Sequence, residues 1–201
     1  MDNILRDTGN GIKEIYLVRH GETDWNNEGR FQGHTNIPLN EKGKLQAQVA
    51  YEKLRAINFD LIYSSDLDRA AQTAQIINAH REILVRYDAR LRERDAGKYS
   101  GLTLSEISKI KGVDLTISQY VSDDILDGIE PLAHLISRVS EFVENLTNNK
   151  FSKCLIIGHG GSLSIIASNL TGIPFKEMMF KNGGIKKVIM EDSHAILQEV
   201  L

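Results

Sequence analysis

The chain has 201 residues, 41% hydrophobic and 25% charged, and this balance is typical of one globular domain rather than of a disordered or low-complexity chain. A formal net charge of -3 without a basic run excludes an extended nucleic-acid footprint, and the single cysteine, Cys154, excludes a disulfide within the chain. Because residues 1–11 lack the apolar core of a signal peptide and no run of about 18 apolar residues occurs, we expect a cytoplasmic protein without membrane or nucleic-acid partners.

The first third of the chain predicts a strand, a long loop and a helix. Residues 1–11 are polar and rich in turn formers, which predicts a loose N-terminal extension. An apolar run predicts a strand over residues 15–18, and the irregular polar segment 24–38 predicts a loop above its end.

Asn40 has the residue type and position to cap the first long helix, which we expect to extend to about residue 57. Leu45, Val49 and Leu54 recur at helical spacing. They predict an apolar stripe that faces the sheet.

The remaining patterns alternate between strand and helix. This alternation predicts one domain over residues 1–201, a three-layer αβα sandwich with a mostly parallel sheet. A weakly patterned segment, about residues 102–130, is expected to form a lid. The other predicted strands are 61–63, 83–87, 154–157, 185–190 and 195–200, and the other helices are 70–77, 104–110, 131–148 and 162–170.

Two segments place a histidine and a glycine directly after a predicted strand. The first is Leu-Val-Arg-His-Gly-Glu-Thr, residues 17–23, and the second is Ile-Ile-Gly-His-Gly-Gly, residues 156–161. One arginine–histidine pair is more often a surface hydrogen-bonding pair than a catalytic one. Ligands bind at the carboxyl ends of strands in α/β sheets, and a guanidinium group favours forked oxyanions, so the repetition favours a phosphate site.

A third motif, Ser-Ser-Asp-Leu-Asp-Arg-Ala at residues 64–70, lies between these two segments. In this order the three motifs resemble the histidine phosphatase (phosphoglycerate mutase-like) superfamily over about residues 15–189. Within this superfamily, the kinds of enzyme that the chain resembles are alpha-ribazole phosphatase and broad-specificity phosphatase. The resemblance implies the phosphoglycerate mutase-like fold.

The resemblance implies that His20 is the nucleophile, which would form a phosphohistidine that water later hydrolyses. For this attack the imidazole must be neutral, with its other nitrogen donating a hydrogen bond, and a backbone carbonyl near Gly21 is the expected acceptor. Glu93 matches the family's acid, which protonates the leaving alkoxide, and Asp95 is the second choice.

Four side chains match the family's phosphate pocket: Arg19, Asn26, Arg69 and His159. Guanidinium and imidazole donors there would hold the phosphoryl oxygens during an in-line displacement. The backbone amides of the glycine pair after His159 could add donors at a helix start. The secondary candidates are Gly21, Thr23, Gly160 and Tyr99, of which Tyr99, with the lid, is expected to select the alcohol.

The expected activity is metal-independent hydrolysis of a small-molecule phosphomonoester. Because the short segment 105–130 has only Lys109 and Lys111 as cations, we favour hydrolysis over mutase activity. Phosphoglycerate mutase and a noncatalytic phospholigand-binding module are the alternatives, and a homodimer paired through residues 185–190 is left open. Neither a nucleotide-binding loop nor metal-ligand spacing occurs, so no cofactor or metal is expected, and the other histidines are interpreted as surface or capping residues: His34, His80, His134 and His194.

Overall fold

The computed structural model describes residues 12–117, 126–191 and 194–200, so the expected N-terminal extension lies outside the described residues. Helices and strands alternate along the chain as predicted. The elements are β1 (Lys13–Arg19), α1 (Asp24–Asn27), α2 (Glu41–Leu54), β2 (Leu61–Ser64), α3 (Asp68–Ile77), β3 (Val85–Tyr87), α4 (Leu104–Lys111), α5 (Leu132–Thr147), β4 (Lys153–Gly158), α6 (Gly160–Thr171), β5 (Ile185–Glu191) and β6 (His194–Glu199), with single 3-10 turns at Ala89–Leu91, Gly97–Tyr99 and Phe175–Glu177.

One mixed sheet of six strands, in the order β3-β2-β4-β1-β5-β6, forms the middle layer. The first four strands in this order are parallel, and β5 and β6 run antiparallel to their neighbours. Because Arg19 on β1 pairs with Gly158 on β4, the two His-Gly segments leave the sheet side by side. The sheet therefore brings His20 and His159 to one edge.

Side chains of the central strands alternate between the two faces of the sheet. On β1, Ile15 and Leu17 pack in a core cluster with α5 and α6. Tyr16 and Val18 pack in a second cluster with α2 and α3. Helices thus cover both faces, and the αβα sandwich is confirmed.

The expected apolar stripe of α2 is wrong at two positions. Leu45 and Val49 are 68% and 55% exposed, and among the predicted residues only Leu54 is buried. The buried face also includes Ala47 and Ala50, because α2 lies close to α3 and only small side chains fit between them. The cap at Asn40 is present, with its side chain accepting from the Gly43 amide at 2.8 Å, and the helix ends at Leu54 rather than near residue 57.

The predicted loop over residues 24–38 contains one helical turn, α1, capped by Thr23. In the lid segment, α4 packs against a small apolar cluster of Tyr99, Ile107, Leu115 and Leu126. Residues 118–125 of the expected lid lie outside the described residues.

Strand β5 lies between β1 and β6, so the homodimer pairing considered for residues 185–190 is wrong in its choice of strand. The strands at the two ends of the sheet are β3 and β6. None of the helices in the described ranges has the length and apolar character needed to cross a bilayer.

Candidate active site

His20 follows β1 and is almost fully buried. Its Nδ1 lies 2.6 Å from the carbonyl oxygen of Gly21. Burial, with the charges of Arg19 and Arg69 nearby, holds the pKa of His20 well below its usual value. A neutral imidazole donates from Nδ1 to this carbonyl, so the lone pair is on Nε2.

Backbone contacts fix the turn that carries His20. A side chain at Gly21 would overlap the Gly43 carbonyl group, so the chain can approach the start of α2 this closely only with a glycine here. The Gly21 amide donates to Thr73 Oγ1 at 3.2 Å, and the Gly183 amide donates to the His20 carbonyl at 3.2 Å. The turn is therefore held by α2, α3 and the segment before β5.

Arg69, on the first turn of α3, is 1% exposed. Its Nη1 and Nη2 donate to the carbonyls of Thr35 and Gly33 at 2.9 and 2.8 Å, and its Nε donates to His159 Nδ1 at 3.2 Å. Burial lowers the pKa of Arg69 to about 10, so the group stays charged near pH 7. Each Nη has a second hydrogen, and two donors remain for an oxyanion.

Arg19 presents a buried donor that has no partner among the described residues. Its Nη1 donates to the Phe180 carbonyl at 2.6 Å, whereas its Nε is buried and finds no acceptor in the described part of the chain. An unmade hydrogen bond of this kind costs about 1–3 kcal/mol. An oxyanion beside Arg19 would supply the acceptor.

His159 does not line the cavity that His20 faces. It is fully buried, its Nδ1 accepts from Arg69, and its Nε2 lies 2.9 Å from Ser65 Oγ. Burial, with Arg69 nearby, holds its pKa well below the usual value, so the neutral ring donates from Nε2 to Ser65. Both ring nitrogens are thus engaged by protein groups in this structure, and His159 Nδ1 holds the Arg69 side chain.

Asn26 lines the cavity, and Thr23 holds it there. Asn26 Oδ1 accepts from the amide and Oγ1 of Thr23, both at 3.2 Å, and from Asn182 Nδ2 at 3.1 Å. Because its oxygen is fully engaged, the NH2 group is the end of Asn26 that can donate to a ligand. Thr23 is buried, caps α1 and does not line the cavity.

Glu93 approaches the same cavity from the loop after β3. Its Oε2 accepts from the Gly161 amide at 3.1 Å, and its Oε1 accepts from the Arg94 amide at 2.9 Å. The Gly161 amide, expected to face an anion, is therefore bonded to the carboxylate. A side chain at Gly161 would overlap Glu93 Oε1.

Arg138, on α5, holds the loop that carries Glu93. It donates to the carbonyls of Arg90, Arg92 and Glu93, all at 2.8 Å. The same guanidinium group binds both carboxylate oxygens of Glu130 at 2.7 and 2.8 Å. This forked contact fixes the loop at several points.

The site surrounds a cavity of about 580 Å³. Five predicted site residues do not line it: Gly21, Thr23, Asp95, Tyr99 and His159. Asp95 accepts from the Gly97 amide, and Tyr99 is buried against α4 with its hydroxyl 3.1 Å from Asp127. Tyr99, expected to select the alcohol together with the lid, does not line this cavity, because its side chain belongs to the apolar cluster under α4. The predicted site residues that line the cavity are Arg19, His20, Asn26, Arg69, Glu93, Gly160 and Gly161.

Sequence reasoning missed three residues that support the site: Ser65, Arg138 and Asn182. Ser65 lies inside the quoted Ser-Ser-Asp motif, so its place after β2 was an available signal. Arg138 lies on a helix with apolar periodicity, and Asn182 donates to the His20 carbonyl across 162 positions of sequence. No local pattern marks either residue.

The fold and this cavity define the class of protein. Buried guanidinium groups lie beside a neutral histidine at the carboxyl edge of parallel strands, which is typical of an α/β protein that binds phosphate. A family model described as "Histidine phosphatase superfamily (branch 1)" matches residues 15–200. The chain belongs to this superfamily.

The relatives include both phosphatases and a mutase. A Salmonella choleraesuis protein named "Probable phosphoglycerate mutase GpmB" is 31% identical over 185 residues, 90% of this chain and 86% of the relative. The solved alpha-ribazole phosphatase from Shigella flexneri is 26% identical, with a TM-score of 0.84 over 93% of this chain and 95% of that one. A mycobacterial glucosyl-3-phosphoglycerate phosphatase is 25% identical, with a TM-score of 0.77 over 93% and 98%.

Proposed function

We propose that the protein is a metal-independent phosphomonoesterase that transfers the phosphoryl group of a small phosphorylated metabolite to His20 and then to water. The observation that carries the proposal is the state of His20: it is neutral, its Nδ1 is fixed by the Gly21 carbonyl, and its ring borders the cavity. Imidazole in this state is a nucleophile at Nε2.

In the first step the Nε2 lone pair attacks phosphorus and the bond from phosphorus to the alcohol oxygen breaks. Arg19 and Arg69, with the Asn26 amide, stabilise the charge on the three equatorial oxygens. Glu93, in its acid form, gives its proton to the leaving alkoxide. The products are the free alcohol and a phosphohistidine.

In the second step water attacks the phosphohistidine. Glu93, now a carboxylate, takes the proton from this water, and the bond from phosphorus to Nε2 breaks. Inorganic phosphate leaves, and His20 returns to its neutral form. The proton balance closes over the two steps, since Glu93 gives one proton and recovers one.

The positions and ion pairs of the lysines on α4 favour hydrolysis over mutase activity. A mutase must retain an intermediate that carries two phosphates, which requires free positive groups around the cavity. Lys111 forms an ion pair with Asp127, and neither Lys109 nor Lys111 lines the cavity. The relative named as a mutase keeps that activity as the second candidate.

The test is to trap the intermediate. Wild-type protein, His20→Asn and the exposed control His80→Asn are mixed with a 32P-labelled phosphomonoester and quenched in alkali, which preserves phosphohistidine. Label at position 20 in the wild type and the control, but not in His20→Asn, is expected. Unchanged turnover in His20→Asn contradicts the proposal.

Two assays separate the alternatives. Conversion of 3-phosphoglycerate to its 2-isomer without phosphate release would identify a mutase. Phosphate binding without turnover of any ester would identify a binding module.

A further inference from the structure

The cavity has two chemically different parts. Its inner end presents the polar groups of Arg19, His20 and Arg69, and most of its remaining wall is apolar. Its volume of about 580 Å³ is well above what a phosphate group fills and falls in the range of roughly 300–1,000 Å³ found for small-molecule sites. The wall must therefore contact the alcohol part of the substrate.

The segment between α6 and β5 supplies much of this wall. Met178 and Phe180 are each 6% exposed and pack with the core cluster under α5 and α6. Ser164 Oγ donates to the Met178 carbonyl at 2.9 Å, and Arg19 donates to the Phe180 carbonyl. Because Arg19 contacts this segment directly, the apolar wall begins next to the phosphate end.

Three more apolar side chains extend the wall: Leu135 on α5, Ile165 on α6 and Phe175 on the turn after α6. Leu135 and Ile165 are buried and belong to the same core cluster, against which Phe175 packs. A wall continuous with the core keeps its shape, while the methionine in it adapts to different apolar outlines.

Three further cationic side chains line the cavity: Arg30, Arg94 and Lys176. Arg94 is buried, and its Nε donates to the Glu130 carbonyl at 2.7 Å. Arg30 lines the cavity but forms ion pairs with Glu28 and Glu106 at 2.6 and 3.2 Å. Lys176, also on the lining, is exposed to solvent. A carboxylate or second phosphate placed against the buried part of the wall, formed by Leu135, Ile165, Met178 and Phe180, would lose its hydration there, which is unfavourable.

We propose that this cavity takes phosphomonoesters of apolar alcohols, with an aryl-bearing or branched alkyl body, and discriminates against alcohols that carry a second anionic group. This substrate class rests on the phosphomonoesterase function proposed above. Apolar contacts of this size separate competing substrates by about 10- to 200-fold in kcat/KM.

The experiment compares three esters of primary alcohols, so that leaving-group chemistry is matched: 2-phenylethyl phosphate, glycerol 1-phosphate and 3-phosphoglycerate. The wild type is expected to hydrolyse 2-phenylethyl phosphate at least about 10-fold more efficiently than either of the other two. Equal efficiency, or a preference for 3-phosphoglycerate, overturns the proposal.

Variants locate the preference in the wall. Phe175→Ser is expected to lower kcat/KM for 2-phenylethyl phosphate about 10-fold more than kcat/KM for glycerol 1-phosphate, whereas Phe175→Leu keeps the preference. Leu84→Ser, at an exposed position outside the cavity, is the control. Equal losses on both esters in Phe175→Ser overturn the role of the wall.

Trapping of label on His20 distinguishes failure of the proposed substrate class from failure of the proposed phosphomonoesterase function. If His20 becomes phosphorylated but the preference is missing, the substrate class is wrong and the phosphomonoesterase function stands. If none of the three esters is turned over and no label reaches His20, both proposals are overturned.

Discussion

The turns that follow β1 and β4 are alike in sequence and unlike in chemistry. Each carries a histidine followed by glycine, and each imidazole is buried and neutral. His20 uses one ring nitrogen on its own turn and keeps the other for the cavity, whereas both nitrogens of His159 bond to Arg69 and Ser65. Similar motifs therefore leave one ring nitrogen open to the cavity in the first turn and engage both ring nitrogens in the second.

Neighbours, rather than the motif, produce this difference. The rings of His20 and His159 are close, with centroids 5.0 Å apart, so the two rings are similarly buried and lie in a similar electrostatic field. The element that separates them is α3 with the turn before it, which places a donor and an acceptor against His159. Hydrogen bonds from a third part of the chain therefore decide which imidazole keeps a free ring nitrogen.

Exchanging each histidine for asparagine should give the largest and most unequal effects. His20→Asn removes the nucleophile and should lower kcat/KM by a factor on the order of 10⁴. His159→Asn keeps an oxygen that can accept from Arg69, so the loss should stay below about 100-fold. Assays with p-nitrophenyl phosphate measure both, with His80→Asn as control, and equal losses would remove the contrast between the turns.

The β4 turn should contribute to proton transfer through Glu93, which its Gly161 amide holds. Glu93→Gln keeps the shape and the acceptor oxygen but cannot cycle a proton. We expect a loss of about 100- to 10,000-fold for alkyl phosphates. The loss should be much smaller for p-nitrophenyl phosphate, because its leaving group needs no proton. A uniform loss on both substrates would argue against the acid role.

The sequence predicted the central architecture because the alternating apolar runs and the strand-end glycines are local signals. It also predicted the donor bond of His20, since a neutral nucleophile needs one nitrogen fixed. It failed for α2, where close packing against α3 buries alanines and leaves Leu45 and Val49 exposed. It failed for Tyr99 and Asn182 because their contacts depend on how distant segments meet.

Removing the acceptor of His159 should cost stability more than activity. Ser65→Ala leaves the Nε2 hydrogen buried without a partner, at a cost of about 1–3 kcal/mol in the free energy of unfolding. Urea unfolding measures this, with Ser140→Ala, at a partly exposed site on α5, for comparison. Since Ser65 Oγ also accepts from the Leu67 amide, a double-mutant cycle with His159→Asn isolates the shared contact. A coupling free energy of zero between the two substitutions would contradict the hydrogen bond between Ser65 and His159.

The pH dependence of stability should reflect both buried histidines. Each has a folded-state pKa below its usual value, so below about pH 6.5 the unfolded chain binds a proton that the folded chain does not. The free energy of unfolding should then fall as pH falls, by up to about 1.4 kcal/mol per pH unit for each histidine.

Urea titrations at pH 7.5 and 5.5 measure this slope. His20→Asn and His159→Asn should each reduce it, and His80→Asn, at an exposed ring, should not. A slope that neither buried substitution changes would contradict the neutral state of the two rings.

The contact between Gly21 and Gly43 limits which amino-acid substitutions this protein can accept. The two backbone segments are in direct contact there, with no room for a methyl group at either glycine. Neither position therefore tolerates a side chain. Substitutions in the apolar wall of the cavity, by contrast, leave this junction intact.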